Sequence, residues 1–87
     1  MQIPQIVKSH RTTQQLSLAK FAQGITPAPG CEITKQAIHN WEQGTNAPNK
    51  YLLVLLMLKF PGQWQQDFAL ETLAVLDPEN YADPQAI

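Results

Sequence analysis

Along the first sixty residues the apolar positions recur at helical rather than strand spacing. Ile3, Ile6, Val7 and His10 fall at i, i+3, i+4 and i+7, and Pro4 suits a first turn, so a first helix is predicted over about 4–14. A second is predicted after Ser17, a good N-cap residue, with Leu18, Phe21, Ala22 and Ile25 at the same spacing. Pro27, Pro29 and Gly30 then interrupt the pattern, and 24–31 reads as a loop. The third helix has the clearest punctuation. Thr34 is a natural N-cap, Ile33 before it can pack on Ile38 as a hydrophobic staple, and Gly44 supplies the stop. Between these signals Ile38 and Trp41 face inward with Ala37 beside them. Lys35, Gln36, His39, Asn40 and Gln43 fall on the opposite side.

Residues 51–58 are an unbroken apolar run, which periodicity alone would allow as a buried strand. Leucine and methionine dominate it and valine is single, so a fourth helix is expected from position 48 or 49 to 60, ended by Pro61-Gly62. A fifth is expected over about 63–76, stopping at Asp77-Pro78. The expected fold class is all-α, a small five-helix domain. A core of 1–60 is followed by a C-terminal helix, 61–76, for packing or dimerisation. Residues 77–87, with three acids and two prolines, read as an acidic flexible tail.

With 87 residues the chain is long enough for one domain, and folding should bury roughly 60–65 % of its unfolded surface. Hydrophobic residues at 44 % and charged ones at 15 % argue against disorder for the chain as a whole. A lone cysteine, Cys31, excludes an internal disulfide and a Cys-x-x-Cys metal knuckle. No apolar run approaches the ~20 residues of a membrane helix, and the start lacks a basic segment followed by an apolar one. The expectation is therefore a soluble cytoplasmic domain. Net charge is −1, but it is split. Residues 1–60 hold all six basic residues against two acidic ones, a balance of +4, while 61–87 hold five acids and no base, −5. Such a split suits a polyanion-binding module with an acidic appendix, and it also arises by chance in small domains.

The polar face of the third helix gives that charge a direction. Residues 17–44 have the grammar of a helix-turn-helix, a capped helix, a connection and a second helix with a polar outer face. Gln36 and Asn40 are amides that can donate and accept, as pairing with adenine N6 and N7 in a major groove requires. Lys35 can reach guanine or a phosphate from the first turn, and His39 and Gln43 could add contacts further along. The competing reading is a solvated helix face. Glu42, four residues after Ile38, sits at the border of the buried face, where a carboxylate needs a partner. Arg11, the single arginine, is the obvious bidentate one. A catalytic role for Glu42 lacks a second carboxylate nearby. His10, His39 and Cys31 lack ligand spacing, no Ser/His/Asp grouping or glycine-rich phosphate loop appears, and neither enzyme activity, metal nor cofactor is expected.

Three stretches then carry a resemblance: Val7-Lys8-Ser9-His10-Arg11, Leu16-Ser17-Leu18-Ala19-Lys20-Phe21-Ala22-Gln23, and Ile33 to Gly44 with Pro48. Together they resemble the Cro/C1-type (XRE-family) helix-turn-helix repressors, over roughly residues 5–60, most specifically at Ile38, Trp41-Glu42 and Gly44. The resemblance implies a lambda-repressor-like domain that regulates transcription by reading double-stranded DNA. In it Lys35, Gln36, His39 and Asn40 face the major groove. Thr45, Asn46 and Lys50 lie near phosphates, with Thr34 and Gln43 as further phosphate candidates at the two ends of the helix. Arg11 and Glu42 form a structural pair. The chain departs from the family's tight glycine turn by an insertion at 24–32, and it has Leu18 where a polar phosphate contact is usual. These departures support an alternative, a protein-interaction or antitoxin-like adaptor on the same fold.

A homodimer on a palindromic site is the expected assembly. The run 51–58 is apolar on every side of a helix, more than one small domain can cover, and Trp64 and Phe68 are candidate interface aromatics. The alternative is that the fifth helix simply caps the fourth within a monomer.

Overall fold

A computed structural model describes residues 2–28 and 30–81, and these residues form six helices and no strand. The helices are α1 (Ile3–Thr13), α2 (Leu18–Gly24), α3 (Lys35–Gln43), α4 (Lys50–Lys59), α5 (Trp64–Leu76) and α6 (Pro78–Tyr81). The all-α expectation is met, and the first five helices lie where periodicity and capping put them.

Local chemistry accounts for the starts of α2, α3 and α4 and the ends of α1 and α3. Gln5 accepts from the backbone N–H of Gln2 at the start of α1, 2.9 Å. Helix α1 ends with Leu16 N–H bonded to Arg11 O and Gln15 N–H to Thr12 O, which requires Gln15 to take φ +57°. This is the double-bonded left-handed terminus that glycine usually makes. Ser17 caps α2 by accepting from Lys20 N–H, Thr34 caps α3 from Ala37 N–H, and Asn49 caps α4 from Tyr51 N–H. Gly44, at φ +79°, ends α3 in the same double-bonded way, with Thr45 N–H on Asn40 O and Gly44 N–H on Trp41 O.

Helix α3 packs on α1 and α2, α5 packs on α1 and α4, and α6 packs on α5. Between them lies one core, which includes Ile6, Val7, Phe21, Ile25, Ile38, Trp41, Leu53, Leu56, Phe68 and Leu73. The insertion at 24–32 is tied into it. Ile25 and Pro27 are buried, and Thr26 donates to Ala22 O while accepting from Ile33 N–H. Gln66 closes the α4–α5 turn by accepting from Gly62 N–H and donating to Met57 O.

Two expectations change here. Residues 78–81 are not part of a flexible tail: Pro78 begins a helical turn whose Tyr81 is half-buried against the core. Residues 82–87 lie outside the described part. The aromatic interface candidates also change, because both rings serve the interior. Phe68 is fully buried, edge-on to Phe21, and Trp64 packs on Phe21 with ring centres 5.2 Å apart. A side-chain carbon on Gly24 would come within 2.9 Å of the Trp64 ring, so a glycine there lets α2 meet α5. Among the described residues no helix is long and apolar enough to cross a membrane.

Candidate nucleic-acid interface

The candidate surface is the outer face of α3, and its orientation is set from below. Ile38 and Trp41 are buried and Ala37 and Ile33 pack against the same cluster, so one side of the helix is anchored. Glu42 adds a polar anchor. Arg11 donates to it through Nε at 2.6 Å and Nη2 at 3.1 Å, and through Nη1 to Leu16 O at 3.3 Å. The two side chains are only 20 % and 10 % exposed, so the pair sits in partly dry surroundings. The hydrogen bond to Glu42 raises the Arg11 pKa above its ordinary value, against the opposing effect of burial, which keeps the guanidinium charged at any working pH. The expected structural pair is thus present, linking α1 to α3.

Opposite these anchors, Lys35, Gln36, His39 and Gln43 are exposed and Asn40 is half-buried. Gln36 donates from Nε2 to Asn40 Oδ1 at 3.1 Å. That bond joins the two amides and leaves Gln36 Oε1, an acceptor, and Asn40 Nδ2, a donor, with no hydrogen-bond partner among the described residues. An acceptor next to a donor is the complement of adenine's N6–H and N7. Lys35 stands at the N-terminal turn, where the helix dipole already favours an anion.

The flanking positions divide. Thr34 is exposed, but its hydroxyl oxygen already accepts from Ala37 N–H. Thr45 and Asn46 are exposed, their backbone N–H groups are used on Asn40 O, and their side chains face solvent. Lys50 departs from expectation. Its side chain is 52 % exposed, and its ammonium is bonded to Asp77 and lies 5.7 Å from the centre of the Tyr81 ring, an intramolecular partner that a phosphate would have to share or displace. The hydrogen bond with Asp77 raises the Lys50 pKa. The same bond, with a second from Asn80, lowers that of Asp77.

Several polar side chains with structural roles escaped the sequence reading. Gln65 is buried and donates to Gly24 O at 3.1 Å, and His10 Nε2 lies 3.2 Å from Glu71 Oε2. The Lys50–Asp77 bond spans 27 positions and has no local signature. Only the position of His10 on the apolar face of α1 hinted at its neighbour. Among the described residues no three of His, Cys, Asp and Glu come together as a metal site. Compared with protein-family models, with curated proteins and with solved structures, the chain finds no significant match in any of the three.

Proposed function

We propose that this protein is a sequence-specific double-stranded DNA-binding regulator on a lambda-repressor-like helix-turn-helix, with α3 as the helix that reads the major groove. Lys35, Gln36, His39 and Asn40 contact base edges, and Gln43, Thr45 and Asn46 approach phosphates. The observation that carries the reading is the paired amide face of Gln36 and Asn40 on a helix fixed by Arg11–Glu42, Ile38 and Trp41. Pairing of two amides before contact lowers the ordering cost of a bidentate base contact. The resemblance of 5–60 to Cro/C1-type repressors, and the +4 balance of residues 1–60, support the same reading.

The engagement of Lys50 with Asp77 favours a second reading, an interaction adaptor that keeps the fold with weak or no DNA binding, because it partly neutralises one of the chain's six basic residues. Selection of bound sequences from a random duplex pool separates the two. Enrichment of an inverted repeat is the expected result for the regulator, acting as a homodimer. Recovery of an unenriched pool would favour the adaptor.

A further inference from the structure

Helix α4 exposes an apolar strip between two lysines, Lys50 and Lys59, at its ends. Tyr51 is 71 % exposed and Leu58 69 % exposed, seven positions apart on one side, with Val54 and Leu55 half-buried beside them. Along the Leu55 edge runs an open groove of about 330 Å³, whose lining includes Glu32, Ile33, Asn49, Leu52 and Leu55 together with one side of Tyr51. One surface therefore carries both a projecting aromatic and a recess of mixed apolar and polar lining, suited to a phenol ring with a hydroxyl.

The charges at the ends of this face are opposite. Glu32 lies at the groove, by the start of α4, and accepts from Gly30 N–H, which lowers its pKa. Lys59 is exposed at the other end, one turn beyond Leu55 and about 10 Å along the axis from Leu52, and it makes no ion pair among the described residues. A patch bearing knob and hole, with a negative end and a positive end, is complementary to itself when turned through a two-fold axis.

We propose that a second copy of this chain docks here, with the two α4 helices antiparallel, Tyr51 of each copy in the groove of the other and Lys59 facing Glu32 twice. The patch centres on four side chains, Tyr51, Val54, Leu55 and Leu58, against the roughly 20–30 residues that a standard interface takes from each partner. The dimer is therefore weak and reversible, and it supplies the two-fold axis that a palindrome-reading regulator needs. It deepens that functional reading, but its test uses no DNA.

Sedimentation equilibrium of the full chain should show a monomer–dimer equilibrium that follows concentration. Tyr51→Ala should raise the dimer dissociation constant tenfold or more, with unchanged helical circular dichroism and melting temperature because the ring is exposed, and Leu58→Ser should act in the same way. Glu32→Lys or Lys59→Glu alone should weaken the dimer roughly fivefold, and the two together should restore it to within about threefold of wild type. A chain that stays a monomer to ~1 mM, a dimer indifferent to Tyr51→Ala and Leu58→Ser, or a double charge reversal that fails to restore association would overturn the proposal. A dimer that selects no duplex upholds it while removing the DNA reading, and a monomer that selects one duplex does the reverse.

Discussion

The outer faces of α3 and α4 lie a few residues apart in the chain and are opposite in kind. That of α3 is polar, with Gln36 and Asn40 bonded to one another, on a helix clamped by an ion pair and two buried hydrophobic residues. That of α4 is apolar, with Tyr51 and Leu58 projecting into water beside an open groove. A polar face with fixed geometry suits recognition of fixed hydrogen-bonding groups. An apolar face suits a partner that brings its own apolar surface. The contrast teaches that a helix in this domain does its work by what its inner side fixes as much as by what its outer side displays.

The comparison can be broken from the inside outward. Phe68→Ala should be the most damaging change, lowering stability by about 3–5 kcal/mol in denaturant unfolding, because the ring is fully buried among Phe21, His10 and the rest of the core. Under the interface reading it would instead leave unfolding nearly untouched. Glu42→Ala should come next, at ~2–4 kcal/mol, since it strands a mostly covered guanidinium. If that loss were only a few tenths of a kcal/mol, α3 would not be held by the pair.

The Lys50–Asp77 bond offers a pH test of how firmly α6 is attached. Asp77 titrates lower in the folded chain than in the unfolded one, so its contribution is present at neutral pH and lost as pH falls through the folded pKa. Lys50 titrates higher when folded, so its contribution is complete below the ordinary lysine pKa and lost as pH rises through the raised one. Amide exchange of Asn80 and Tyr81, whose N–H groups bond to Asp77 O, should therefore be slowest relative to the unprotected rate between these limits, and Asp77→Asn should abolish the low-pH limb. A limb retained in Asp77→Asn would assign it to another carboxylate. The smallest effect, and one that strengthens the fold, is expected at Gln15. Its φ of +57° is a conformation glycine adopts without penalty, so Gln15→Gly should raise stability by about 0.5–1 kcal/mol in thermal unfolding.

Much of the helix order was legible because its signals are local. Ser17, Thr34 and Asn49 cap the helices that follow them, Gly44 ends α3, and the Ile38–Trp41 spacing marks the inner side of that helix. The Arg11–Glu42 pair was legible too, since a border carboxylate needs a cation and the chain has one arginine. What was not legible depends on where distant segments meet. The partner of Lys50 lies 27 positions away, and no local pattern announces it. Trp64 and Phe68 looked like interface residues because aromatic content does not say which side of a helix is inside. The helical turn at 78–81 was hidden by its acids and prolines, whose docking depends on Lys50 and on Tyr81 reaching the core.

The central claim is that the amide face of α3 discriminates between base sequences. The direct measurement is equilibrium binding of wild type and Gln36→Ala to the selected duplex and to a random duplex, at one fixed salt concentration. The account predicts that Gln36→Ala weakens the selected complex by ~1–3 kcal/mol, about 5–150-fold, and leaves the random complex nearly unchanged. Equal loss on both duplexes, or no preference in the wild type, would contradict it.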